Sequence, residues 1–143
     1  GKGKSRLYEA WAEGGVLHRE QRKGPALQFR DQYIYAQDGV PNRKESDGPA
    51  VKLGGGIEIY ADKGWPTKIT VPRKTLAGVS DSSSNASNGY ATDAWSLLFF
   101  DWMVRVMGCS IGEGGMDDIY RFLSTAALAL QHMRDTGVTT MVL

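Results

Sequence analysis

The chain has 143 residues, 41% of them hydrophobic and 23% charged, which excludes collagen-like, disordered and disulfide-scaffold classes. Its one cysteine, Cys109, rules out an internal disulfide, and two histidines, His18 and His132, leave little material for a zinc site. The formal net charge of +1 hides an asymmetry, because residues 1–75 carry 14 Lys/Arg against 9 Asp/Glu while residues 76–143 carry 3 against 7. A basic front and an acidic back suit contact with phosphate, or with the opposite half of a neighbouring copy.

In chain order, residues 1–26 read as an amino-terminal arm. Within it Ser5–Glu13 places Leu7, Tyr8 and Trp11 at helical spacing, and Gly14-Gly15 ends that helix. Val16–Pro25 is basic and irregular. A β-rich part follows over residues 27–79. Between Leu27 and Ala36, Leu27, Phe29, Asp31, Tyr33 and Tyr35 alternate with their neighbours, and a period near two with three aromatics predicts one strand. Asp38–Pro49 reads as loop. Ala50–Leu53, Ile57–Ala61 and Lys68–Pro72 read as short strands, separated by Gly54-Gly55-Gly56 and by an Asp62–Pro66 hairpin loop. Pro72 lacks an amide donor, so it ends its strand or lies at an edge.

A polar linker over residues 80–91 leads into a helical part, residues 92–143. Thr92 or Asp93 caps a helix that runs to about Met107 and stops at Gly108. Met116-Asp117-Asp118 opens a second helix, with acids at its positive end, running to about Arg134 and stopped by Gly137. Val138–Leu143 suits one more strand or a docking tail. In the second helix Ile119, Phe122, Leu123, Ala126, Ala127, Leu130 and Met133 form one apolar stripe. The first is apolar almost all round, with only Asp93, Ser96, Asp101 and Arg105 as a polar seam. Each large apolar side chain gains roughly 1.5–3 kcal/mol from full burial, so this helix demands cover on more sides than one sheet and one helix provide. No internal repeat is legible. The expected fold is a single α+β domain, a small and mostly antiparallel sheet packed on two C-terminal helices.

Candidate chemistry is sparse. Gly3-Lys4-Ser5 lacks the earlier glycine and the preceding strand of a phosphate-binding loop. Gly108–Gly115 precedes a helix, but Glu113, Asp117 and Asp118 repel an anion there. Cys109 has no base near it in sequence and reads as a structural thiol. Asn85-Ala86-Ser87 fits a glycosylation acceptor but no secretory pattern accompanies it. No cofactor or metal is expected, and no transmembrane segment. Beginning at Gly1, the chain reads as a processed product or a fragment, of intracellular or virion location.

The expected function is therefore non-catalytic: a self-associating assembly subunit of capsid, matrix or filament type, a homo-oligomer. Trp95, Leu98, Phe99, Trp102, Val106 and Leu130 are its candidate self-association residues. The alternative is a module binding RNA or single-stranded DNA through Lys2, Lys4, Arg6, Arg19, Arg22, Lys23, Arg43, Lys44, Arg73 and Lys74. In that reading Tyr8, Trp11, Phe29, Tyr33 and Tyr35 stack on bases while the cations neutralise phosphates. A small enzyme with a loop-built site is the third.

Overall fold

The computed structural model describes residues 9–77 and 116–143. In chain order it contains β1 (Glu9–Ala10), β2 (Ala12–Glu13), β3 (Val16–Leu17) and a 3-10 turn at Gln21–Lys23. Next come β4 (Leu27–Phe29), β5 (Gln32–Ile34), β6 (Ala36–Gln37), β7 (Val40–Pro41) and a second 3-10 turn at Glu45–Asp47. β8 (Val51–Lys52), β9 (Glu58–Asp62) and β10 (Trp65–Thr70) follow, then α1 (Met116–Thr136) and β11 (Thr140–Val142). Seven strands form one antiparallel sheet in the order β1-β4-β5-β8-β9-β10-β11, and β2-β3 and β6-β7 form separate hairpins. The class is α+β, an antiparallel sheet with one long C-terminal helix. The other expected helix, residues 92–107, lies outside the described residues, as do the polar linker and Cys109.

Strand register puts one residue from every strand into a single cross-sheet row: Ala10, Leu27, Ile34, Val51, Ile59, Ile69 and Met141. From Leu27 to Ile69 every member of that row is fully buried, and Met141 packs against the same core. The next row holds Glu9, Gln28, Tyr33, Lys52, Glu58, Thr70 and Thr140, as the two-residue side-chain period requires. The helix closes the C-terminal end of the apolar row by packing on β10 and β11. Phe122, Leu123, Ala126, Leu130 and Met133 are buried there, so the stripe expected from the sequence is the face that docks. Ala127 is half-buried, and Ala129 joins the core in its stead. Gly137 ends the helix with positive φ (77°), its amide bonded to Met133 O at 2.7 Å.

Three expectations about the front half are corrected. Within Ser5–Glu13, the described residues form strands at Glu9–Ala10 and Ala12–Glu13 rather than a helix. The Leu27–Ala36 strand is broken by a turn at Arg30-Asp31, with Arg30 at φ 58°, and folds back so that Leu27 pairs with Ile34. The Asp38–Pro49 loop contains β7 and a 3-10 turn. All three have one cause, which is also the fourth correction: the chain contains an internal repeat.

Ala12, Gly15, Val16, Arg19, Gly24, Pro25 and Ala26 recur 24 positions later as Ala36, Gly39, Val40, Arg43, Gly48, Pro49 and Ala50. Past one extra residue in the Gly54–Gly56 turn, Ile34-Tyr35-Ala36 recurs as Ile59-Tyr60-Ala61. The hydrogen bonds repeat with the residues. Trp11 N–H donates to Ala26 O at 2.8 Å and Tyr35 N–H to Ala50 O at 2.6 Å; Ala26 N–H donates to Ile34 O at 2.8 Å and Ala50 N–H to Ile59 O at 2.9 Å. Each unit opens with a two-residue hairpin turn, at Gly14-Gly15, Asp38-Gly39 and Lys63-Gly64, and both residues of each turn have positive φ. That is the I′ geometry, whose twist matches the strands it joins.

An arginine locks each of the first two units. Arg19 Nη1 donates to Pro25 O at 3.2 Å while its guanidinium lies 3.8 Å from the Trp11 ring centroid. Arg43 Nη1 donates to Pro49 O at 3.0 Å and lies 3.8 Å from the Tyr35 centroid. Lys68 takes the third position, 4.2 Å from the Tyr60 centroid. Gly24 and Gly48 make room for the two arginines. Both have φ 127° with ψ near 180°, a region essentially restricted to glycine, and a Cβ at Gly48 would lie 2.9 Å from Arg43 Nη1.

Arg43→Ala is expected to lose about 2 kcal/mol, from the aromatic contact and the charge-assisted bond together. Arg43→Lys is expected to lose about half of that, since Lys68 shows that an ammonium keeps the stack. Urea unfolding midpoints of the two variants check this; equal losses would show that the aromatic contact contributes nothing.

Candidate functional site

Between its locked arginine and its glycine, each unit carries a short 3-10 turn with different side chains: Glu20-Gln21-Arg22-Lys23 in the first and Lys44-Glu45-Ser46-Asp47 in the second. The two turns lie side by side because Gln21 bridges them. Its Nε2 donates to Asp47 Oδ2 at 2.6 Å, and its Oε1 accepts from the Lys44 amide at 2.9 Å. An open groove of about 920 Å³ runs between the turns, with Tyr35, Gln37 and Arg43 also lining it. Its charged lining is four cations, Arg22, Lys23, Arg43 and Lys44, against the carboxylates of Glu20 and Asp47.

The cations differ in availability. Arg43 is committed to Tyr35 and Pro49, and its Nε is buried without a hydrogen-bond partner. Arg22 and Lys23 project into solvent, their side chains 81% and 60% exposed, and each sits within 3.4 Å of Glu20. The Lys23 ammonium, by hydrogen bond and charge, holds the Glu20 carboxyl below the usual range, with Arg22 adding to the effect. Burial pushes the Tyr33 phenol up, and the nearby Arg43 charge opposes that shift.

His18 sits at the groove's end. Its Nδ1 accepts from the Asp38 amide at 3.0 Å and lies 3.6 Å from the Asp38 carboxylate. Asn42, at the equivalent position, likewise uses its Oδ1 to take the Lys63 amide at 2.8 Å, so both side chains fasten the hairpin that follows.

Of the residues expected to contact nucleic acid, Arg22, Lys23, Arg43 and Lys44 meet in the groove. Arg19 is set apart in its lock on Trp11, and Arg73 and Lys74 stand exposed on helical residues 73–77. Lys2, Lys4 and Arg6 lie outside the described residues. Two of the aromatics expected to stack on bases are already engaged, since Arg19 covers a face of Trp11 and Arg43 a face of Tyr35. Leu130, expected to self-associate, is 2% exposed and spends its apolar surface within its own chain. Trp95, Leu98, Phe99, Trp102 and Val106 lie outside the described residues. The sequence reading missed Gln21, the bridge, and Asp47, its acceptor; the signal was the 24-residue recurrence that aligns the two turns.

Among the described residues no three His, Cys, Asp or Glu side chains gather as a metal site, and no helix is long and apolar enough to cross a membrane. Compared with known protein families, curated proteins and solved structures, the chain has no match.

Removing the ammonium by Lys23→Ala is expected to move the Glu20 titration midpoint upward, toward the ordinary carboxylate range. Side-chain carboxyl NMR shifts across acidic pH measure it, and an unmoved midpoint would show that Lys23 is not the group holding Glu20 ionised.

Proposed function

We propose that this protein is a non-catalytic, self-associating assembly subunit, with the repeat sheet as its scaffold and the outer edge of β11 as a joining surface. One observation carries the reading. Leu143 N–H bonds to Thr67 O and Val71 N–H to Thr139 O, both at 2.9 Å, which fixes the hydrogen-bonding phase of the β10–β11 pair. In that phase Met141 turns its backbone groups to β10, while Thr140 and Val142 turn theirs outward, where no described strand pairs with them. An open edge of this kind is a template for a strand of another chain. Val142 and Leu143, 75% and 42% exposed, add apolar surface beside it. Two copies joined by antiparallel β11 strands would form a self-complementary two-fold contact. The apolar segment 92–107, read as the second C-terminal helix of the fold, belongs to the same proposal, with Trp95, Leu98, Phe99, Trp102 and Val106 as further joining residues. An intracellular or virion setting goes with a subunit of this type.

Nucleic-acid binding is the second reading, favoured by the four cations of the groove. It is weakened by Glu20 and Asp47 among them, which interrupt any path for a phosphate backbone.

Sedimentation across protein concentration is expected to reveal a species larger than the 15.6 kDa monomer. Val142→Pro removes the outward amide and spares the bonds to β10, so it should abolish association with the unfolding midpoint unchanged. A strict monomer at millimolar protein, or association that survives Val142→Pro, would overturn edge pairing.

A further inference from the structure

We propose that the leading face of the first repeat unit, at the opposite end of the sheet from β11, is a docking site for a repeat unit of the same kind carried by a partner protein. This goes beyond self-association and uses a different surface. The contacts between units inside the chain define what such a face receives. The second unit offers three backbone groups to the first: Ile34 O takes the Ala26 amide at 2.8 Å, Ala36 O takes the Arg19 amide at 3.2 Å, and the Gly39 amide donates to Leu17 O at 2.9 Å. The third unit offers the same three to the second. Ile59 O, Ala61 O and the Gly64 amide bond to Ala50, Arg43 and Pro41 at 2.9, 3.1 and 2.8 Å. Repeat scaffolds hold together through such nearest-neighbour faces.

In the first unit the same places are held by Ala10 O, Ala12 O and the Gly15 amide, and among the described residues no earlier unit meets them. Packing differs in the same way. Ala36 and Ala61 are buried where Ala12 is exposed, and Gly39 and Gly64 are buried where Gly15 is exposed. A Cβ at Gly39 would lie 3.3 Å from Val16 Cβ and one at Gly64 3.2 Å from Val40 Cβ, whereas one at Gly15 would meet nothing within 4 Å. Positive φ by itself calls for glycine at position 15, but no such demand falls on Ala12. The turn amides follow the pattern too, since His18 takes Asp38 and Asn42 takes Lys63, while Gly14 has no such acceptor among the described residues.

The occupant needs an uncapped trailing face. A second copy of this chain offers none, because its first two units spend these groups on the unit that follows, and β11 and α1 pack on the third. The ligand is therefore a different protein, whose final unit leaves exposed a valine, a His or Asn acceptor and a Gly-Pro-Ala strand. It would add that strand to the edge of β1 and stack its hairpin on Gly14-Gly15.

The test uses the whole chain and a labelled peptide with the sequence of residues 16–29, which carries the trailing groups of a unit, beside a scrambled peptide of the same composition. Fluorescence anisotropy is expected to show binding of the first and not of the second. Ala12→Glu puts a charge where the incoming unit would pack and should weaken binding at least ~10-fold. Position 12 is exposed, so the unfolding midpoint should hold. Amide shift mapping on the unaltered protein keeps the result independent of that variant, with changes expected at residues 9–20. Changes confined to β11 would make the peptide a ligand of the other edge and overturn the proposal. Equal binding of the scrambled peptide, affinity untouched by Ala12→Glu, or no binding at millimolar peptide would overturn it equally.

Discussion

A guanidinium pinned between an aromatic ring and a carbonyl sets the geometry of each repeat. Arg43 lies 3.8 Å from the Tyr35 centroid while its Nη1 bonds Pro49 O, and Arg19 does the same with Trp11 and Pro25. The carbonyl bond closes a short loop over the seven residues from arginine to proline, and the ring fixes the direction from which the arginine approaches. Within that closed loop the backbone has one economical path, a 3-10 turn ending in a glycine at φ 127°. The strained glycine and the fixed arginine are two ends of one constraint, because a Cβ at the glycine would fall on the guanidinium.

With that loop set, the strands follow. Each I′ hairpin returns the chain into its neighbour, and the backbone bonds from Trp11 to Ala26 and from Tyr35 to Ala50 stitch one unit to the next at the same register. Constant register keeps the apolar row from Leu27 through Ile69 continuous, which is what a helix can cover. The stack ends where Lys68 replaces arginine and the amide of Leu143 bonds to Thr67 O. There β11 and α1 take the place of a further unit. The C-terminal segment thus caps the sheet, and the front and back of the chain share one core.

The same division of labour shapes the surface. Cations held in the locks stabilise the repeat and are withdrawn from ligand binding, even where, as with Arg43, they line the groove. The turn cations Arg22 and Lys23 carry no such duty and pair only with Glu20 beside them. A count of basic residues treats these two groups alike; the geometry separates them, with Arg22 and Lys23 exposed on their turn and Arg19 and Arg43 held against rings.

Much of the back of the described structure was legible from the sequence because its signals are local. The 3.6-residue spacing of Phe122, Ala126, Leu130 and Met133 belongs to one helix, and Gly137 and Pro72 act on their own backbone whatever surrounds them. The strands at Ile57–Ala61 and Lys68–Pro72 were within a few residues of those observed for the same reason. The front half misled because its signals are short and contradictory when read one at a time. Trp11 at helical spacing from Leu7 is in fact the ring for Arg19, and Arg30-Asp31 in an alternating run is a turn. Asp38-Gly39 was a hairpin signal in plain sight, obscured by the proline and asparagine that follow it. Sequence alone determined the amphipathic helix, its end, and the recurrence of Arg–Gly-Pro-Ala, had the two copies been laid together. Only the tertiary structure decided that Arg19 and Arg43 are the locked arginines, because that depends on a ring eight residues upstream being brought back over the guanidinium by a hairpin, a contact with no local signature.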